Sequence, residues 1–266
     1  MGSPGTALTF FPIIDAVRGR HGTGQVAVIS FSIPTNSISY WAERLARLGL
    51  EFNGPVTRLG EELFSFADPD GLQLELIADV ESHQGHPWVE GGVPDEHAIR
   101  GFSLATLAVA NYNETARFLT DFLGFNQTGQ EGNRFRFRLE GDAIGTKVDL
   151  LLLPQSPFGR NGSGTVHHIA WRTRDDSAQL RWREEIAAMG YNVTPVVDRN
   201  YFHSIYFREP GGTLFEIATD TPGFTVDETL EELGSGLVLP PRLEPRRSRL
   251  LEVLPPLQLP RKVVAA

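Results

Sequence analysis

The sequence predicts an α+β fold built from repeated βαβββ modules. Three observations carry that expectation. Short apolar strand patterns and amphipathic helical patterns follow one another in the order strand, helix, then further strands. The same order recurs along the chain, and one stretch matches another almost residue for residue. The sharpest departure between the matching stretches is a tandem histidine, His167-His168, which stands in one copy only.

Taken in order, Thr6–Pro12 is a β-rich run that ends at a proline, and 13–24 is a turn-rich loop. Gln25–Ile33 alternates as a strand should. Asn36 or Ser37 is placed to cap a helix whose Ile38, Trp41, Leu45 and Leu48 share one face, and Gly49 ends it. Leu63–Ala67 and Leu72–Ile77 read as strands joined by the turn Asp68-Pro69-Asp70-Gly71. Residues 80–98 are rich in Gly, Pro, His and acid and read as a linker, with His83, His86 and His97 as loop residues. Gly101–Ala110 restarts the pattern. Asn113 is expected to cap the next helix, with Phe118, Leu119 and Phe122 on its apolar side, and Gly124 to end it. Arg134–Leu139 (RFRFRL) reads as a strand with a solvated arginine face over a phenylalanine core face. Val148–Leu153 is the next strand, and 155–164 a loop.

The repeat is read by setting 25–79 beside 165–220. Val26 falls on Val166, Trp41 on Trp182, Gly49 on Gly190, Pro69 on Pro210, Gly71 on Gly212, Glu75 on Glu216 and Asp79 on Asp220. The phrase FADPDGLQLELIAD of the first stretch matches FREPGGTLFEIATD of the second. The first copy has Ala27 and Val28 where the second has His167 and His168. An apolar pair evidently packs at that place, so packing does not explain the histidines. The modular reading divides the chain into 1–12, the last strand of a first module otherwise missing; 25–79, a second module; 80–98, the linker; 99–154, a third; 165–220, a fourth that carries the metal site; and 221–266, a tail packed over the fold.

Strand alternation gives the site its first definition. His168 and Ala170 share one face of their strand, and His167, Ile169 and Trp171 the other. Glu216 and Ala218 share a face of theirs, so small alanines flank the candidate ligands His168 and Glu216 and leave room for a bound molecule. An imidazole and a carboxylate are two of the three ligands of a two-histidine, one-carboxylate metal site. On the strand between, Tyr206 and Ser204 share a face; Tyr206 has the chemistry of a proton donor beside a metal-bound oxygen. Arg199 and His203, just upstream, suit orientation of an anionic substrate or proton transfer.

Composition narrows the function. The chain of 266 residues carries a net charge of −9, which argues against a duplex nucleic-acid binder. No apolar run is long enough to span a bilayer, and the start has no signal-peptide pattern, so a cytoplasmic location is the expectation. There is no cysteine, so a metal here would use His, Asp or Glu.

Several stretches together carry a family resemblance: GSPGTALTFFP (2–12), RGRHGTGQV (18–26), RFLTDFLGF (117–125), VHHIAW (166–171), FREPGGTLFEIATDTPGF (207–224) and EPRR (244–247). With these the chain resembles the vicinal oxygen chelate superfamily, which includes glyoxalase I, extradiol dioxygenases and antibiotic-resistance proteins. It is most similar to the four-module ring-cleaving dioxygenases of hydroquinone type. The resemblance implies open, mixed-sheet half-barrels that pair around a metal and substrate cavity. It implies Fe(II), with Mn(II) and Zn(II) as alternatives, and a small aromatic diol and O2 as substrates; the apolar edge left by the missing module is expected to lower stability or promote self-association as a homo-oligomer. Carried over, His168 and Glu216 are metal ligands, and His167, Arg199 and Tyr206 line the substrate pocket. The family's first histidine ligand lies on the opening strand of the first module, and no histidine of this sequence stands in a matching context. Glyoxalase-type lyase or isomerase chemistry, and a non-catalytic or vestigial binding protein of the same fold, are the alternative readings.

Overall fold

The structure is a computed structural model that describes residues 5–11, 13, 15–80, 87–88, 92–141, 145–254 and 256. Among the described residues twelve strands form two sheets of mixed parallel and antiparallel pairing, with helices packed against them. The expected α+β class is what the chain adopts, as a large curled sheet and a smaller open one.

The eight-stranded sheet joins two consecutive units. The first is β1 (Gln25–Ile33), α1 (Ile38–Arg47), β2 (Phe52–Arg58), β3 (Glu61–Ala67) and β4 (Gln73–Ala78). The second is β5 (Gly101–Val109), α2 (Tyr112–Arg117, continued by a π turn over Phe118–Phe122), β6 (Asn126–Glu131), β7 (Arg134–Arg138) and β8 (Lys147–Leu152). Their strands run in the order β2-β3-β4-β1-β5-β8-β7-β6, and the two units meet where β1 pairs antiparallel with β5. The four-stranded sheet holds β9 (Ile169–Thr173), β10 (Val197–Asp198), β11 (Phe202–Arg208) and β12 (Leu214–Pro222), with α3 (Asp176–Ala188) between β9 and β10.

The registers reproduce the sequence repeat. β1 pairs parallel with β4 with Ser30 opposite Glu75, and β9 pairs parallel with β12 with Ala170 opposite Glu216. Ser65 faces Glu75 across β3–β4, as Tyr206 faces Glu216 across β11–β12. The connecting turns match too: Asp68 Oδ1 accepts from the backbone of Asp70 and Leu72, and Glu209 accepts from Gly211 and Thr213. Gly49 and Gly190 end their helices at φ +69° and +88°, the left-handed conformation that favours glycine.

The core spans the two sheets. Phe118 and Leu119, following α2, are buried with Phe137 and Leu150 of the large sheet and with Ile186, Phe207, Phe215 and Ile217 of the small one. A smaller cluster of Ile33, Trp41, Leu45, Phe64 and Leu76 seats α1 on the opposite end of the large sheet. The tail returns as a short helix α4 (Arg247–Val253), held where the Arg247 guanidinium donates to the Leu237 carbonyl. Among the described residues no helix is long and apolar enough to cross a membrane.

Several local expectations change. Residues 6–11 form no strand; β propensity alone does not make a ladder. Gly5 and Phe11 instead lie against Arg172 and His167. Ser37 holds the N-cap position of α1, but its side chain makes no capping hydrogen bond: a 3-10 turn over Thr35–Ser37 leads into the helix, and the Ser37 hydroxyl donates to the Glu96 carbonyl. Asn111, not Asn113, caps α2, because its side chain accepts from the Asn113 N–H. His97 stacks on Tyr40 and meets Ser37, so it pins the linker to α1; His83 and His86 lie outside the described residues.

The arginine face of β7 is the largest correction, because it is not solvated. Arg136 is buried, and it forms a two-nitrogen pair with the fully buried Asp149 of β8. Arg134 reaches the same carboxylate at 3.0 Å, and Arg136 also meets Glu61 at 2.7 Å. Lys147 bridges Glu61 and Asp79 at 2.8 Å each. Buried arginine is tolerated where carboxylates neutralise it, and this network fills the space between the strands with the chain's own charges.

Two outcomes follow for stability. Arg136→Ala leaves Asp149 with less compensation, and should cost about 3 kcal/mol in urea unfolding, the lower end for a broken buried pair because Arg134 remains. Asp175 caps α3 by accepting from the Ala178 N–H, and hydrogen bonds from Ser177, Ala178 and Arg174 hold its carboxyl well below the usual range. A depressed carboxyl stabilises the fold above its unfolded pKa and loses that contribution as pH falls. Asp175→Ala should therefore lower Tm at pH 7, with the difference from wild type shrinking in scans below pH about 4.

Candidate metal centre

The small sheet builds the site from backbone register. Glu216 on β12 lies opposite Ala170 on β9 and opposite Tyr206 on β11. His168 immediately precedes β9, two residues before Ala170, so alternation returns its side chain to the same face. Its Nε2 lies 2.7 Å from Glu216 Oε2. The other carboxylate oxygen, Oε1, accepts a hydrogen bond from the buried Ser204 hydroxyl. Behind this face Phe215 and Ile217 are buried in the core, which fixes β12 and the orientation of Glu216.

The remaining predicted residues gather around that pair. The Tyr206 ring stands edge-on to His168 with centroids 5.6 Å apart. Arg199 is exposed and donates to Tyr206 Oη from Nε at 3.2 Å and Nη2 at 3.0 Å, with its guanidinium 5.4 Å from the ring centroid. Arg199 thus belongs to the site through Tyr206. His167 is exposed, its ring edge meets Phe11, and its Nδ1 lies 2.8 Å from His168 Nδ1, so one of the two nitrogens donates and the other accepts. His203 points elsewhere, with Nδ1 2.6 Å from Asp176 Oδ1.

The electrostatics follow from this packing. Burial opposes ionisation of Glu216, but hydrogen bonds from His168 and Ser204 outweigh it and hold the carboxyl below its ordinary value. Burial and the neighbouring His168 and Arg208 push His167 down, which keeps it neutral near pH 7. Burial and the Glu216 charge push Tyr206 up, against the Arg199 and Ser204 contacts, so its hydroxyl stays protonated.

Comparison within the chain shows what is particular here. Glu75, Asp149 and Glu216 occupy the same place on the last strands of their units, opposite Ser30, Thr106 and Ala170 of the first strands. Glu75 is paired with Arg58 at 2.8 Å and accepts from Ser30 at 2.7 Å. Asp149 is paired with Arg134 and Arg136. Among the described residues Glu216 meets no such guanidinium; the ring nitrogen beside it is that of an imidazole. An imidazole nitrogen and a carboxylate oxygen aimed at one another fit a divalent cation as two of its ligands. No third His, Asp or Glu joins them among the described residues. Sequence reasoning missed the Ser204 contact, although a signal exists: the equivalent position of the first copy is the buried Leu63.

Known proteins place this architecture. The Glyoxalase/Bleomycin resistance protein/Dioxygenase superfamily model matches residues 101–217. MhqO of Bacillus subtilis, named as a ring-cleaving dioxygenase, is 45% identical over 258 residues, which cover 97% of this chain and 81% of that protein. The chlorohydroquinone/hydroquinone 1,2-dioxygenase of Sphingobium indicum is 33% identical over 259 residues, 96% of this chain and 80% of that one. The crystal structure of a Bacillus subtilis protein described as a dioxygenase superposes with a TM-score of 0.90 at 45% identity, over 96% of this chain and 81% of that one. A glyoxalase I mutant from Zea mays shares the fold at 15% identity and a TM-score of 0.54, over 77% of this chain and 70% of that one. The chain belongs to the glyoxalase/bleomycin resistance protein/dioxygenase superfamily.

Proposed function

We propose that this chain acts as an Fe(II)-dependent, extradiol-type ring-cleaving dioxygenase on hydroquinone- or catechol-like aromatics, with O2 as co-substrate. The observation that carries the reading is Glu216: a buried carboxylate at a position that arginines neutralise elsewhere in the chain, here facing His168. The names of the relatives support the same reaction class and a small aromatic diol.

His168 and Glu216 would hold the cation, through Nε2 and Oε2. When bound, Fe(II) supplies Lewis acidity that lowers the diol pKa and a path for electrons from ring to O2. Mn(II) and Zn(II) suit the same donors, but Zn(II) has no redox chemistry to offer O2.

The surrounding residues manage protons. Committing the His168 Nε2 lone pair to a cation leaves its proton on Nδ1, where it donates to His167 Nδ1. His167 then carries its own proton on Nε2 and presents that N–H to a substrate oxygen. Tyr206 Oη accepts two N–H donors from Arg199, so its own proton is directed away from the guanidinium. The raised pKa keeps that proton in place until a developing oxyanion takes it. The exposed Arg199 charge also favours an anionic diol beside Tyr206.

The reading is tested by loading the protein anaerobically with Fe(II), adding hydroquinone and following O2 with an electrode. Uptake should be Fe(II)-dependent and give a ring-opened product that contains both atoms of 18O2. His168→Ala and Glu216→Gln should lower turnover at least about 100-fold by weakening metal retention. Tyr206→Phe should lower kcat by about 100-fold with little change in KM, the mark of a proton transferred in the transition state. Absence of uptake by the Fe(II)-loaded wild-type protein across hydroquinones and catechols would refute the assignment.

A further inference from the structure

We propose that Ser204 is the positioning residue of the centre, which holds Glu216 so that a single oxygen, Oε2, faces His168. This inference rests on the metal-centre reading above. Ser204 lies on β11, opposite Ala218 in the ladder and one alternation from Tyr206, and its side chain is 0% exposed. Its hydroxyl donates to Glu216 Oε1, while Oε2 lies 2.7 Å from His168 Nε2. The two oxygens of the carboxylate therefore have separate tasks.

The repeat shows that the arrangement is specific to this unit. In the first copy the buttressing hydroxyl comes from the first strand, where Ser30 donates to Glu75 Oε2 at 2.7 Å, and the place of Ser204 is filled by the buried Leu63. In the histidine-bearing copy the first strand carries Ala170 at that register, and the hydroxyl stands on β11. A hydroxyl at Ala170 would approach the carboxylate from the strand that presents His168 and would compete for the same oxygen. Placed on β11, it draws Oε1 away from β9 and leaves the His168 side clear.

The physical consequence is control of one torsion. The terminal torsion of a glutamate is broad, so an untethered carboxylate turns freely. With Oε1 tied to Ser204, Glu216 would offer a cation one oxygen, Oε2. The space a second oxygen would occupy stays available to substrate.

Two measurements on the full chain test this. In metal-free crystals of Ser204→Ala the Glu216 carboxylate should rotate off its His168 contact, whereas wild type and Ser204→Thr, which keeps the hydroxyl, should retain it. In anaerobic titration with Co(II), followed by visible absorption, Ser204→Ala should raise Kd about tenfold, and Ser204→Thr should restore most of that loss. A Ser204→Ala protein that keeps the Glu216 rotamer and binds Co(II) within twofold of wild type overturns the proposal, and a fall in Tm alone assigns Ser204 an ordinary packing role. Failure of the wild-type protein to bind Co(II) refutes the metal-centre reading instead, while the crystal comparison still decides whether Ser204 sets the carboxylate.

Discussion

The site depends on one backbone constraint, the parallel pairing of the first and last strands of a unit. β9 and β12 are distant in sequence, with α3, β10 and β11 between them. Once it closes, Ala170 lies opposite Glu216, and the residue two places before Ala170 shares the face of the carboxylate. A slip of one residue would turn His168 toward the core and put Ile169 beside Glu216. The aromatic core beneath the sheet resists that slip, because Ile169 and Trp171 of β9 pack against it in the observed register.

The same constraint acts three times in the chain, with three chemical outcomes. Each unit brings a carboxylate on its last strand beside its first strand. A buried carboxylate requires compensation, since removing an ion from water costs several kcal/mol even after relaxation. Glu75 obtains it from Arg58, and Asp149 from Arg134 and Arg136, whose side chains fill the interior they neutralise. Glu216 is compensated by an imidazole and by the Ser204 and Tyr206 hydroxyls, a set that a divalent cation can enter without displacing a fixed charge. The large sheet thus reads as a closed version of the arrangement that the small sheet leaves open.

Much of this was legible before any coordinates. The repeat aligned Glu75 with Glu216 and singled out His168, because a comparison of two copies separates what packing needs from what it does not. Strand alternation puts His168 with Ala170, Glu216 with Ala218 and Ser204 with Tyr206, each pair on one face of its strand; the pairing of the strands brings those faces together. The errors have physical causes as well. Alternation tells which residues share a face, not what confronts that face, so the Arg134–Arg138 stripe looked solvated when Asp149 and Glu61 in fact lie against it. The cap of α2 was misplaced by two residues because Asn111 and Asn113 have the same local chemistry, and the start of the helix decides between them. Residues 6–11 have strand composition but no ladder, a property of the neighbours and not of the segment. The Ser204 contact was visible only as a polar residue where the other copy has a leucine, a signal that gains meaning once Glu216 is seen beside it.

The proposed cation site is Glu216, the carboxylate of the repeat that meets no guanidinium among the described residues. Crystals grown anaerobically with Fe(II) and measured on either side of the iron absorption edge test it most directly. The account predicts one strong anomalous peak within bonding distance of both His168 Nε2 and Glu216 Oε2, with none beside Glu75 or Asp149. A peak that avoids His168 and Glu216, or crystals that take up no iron under those conditions, would contradict it.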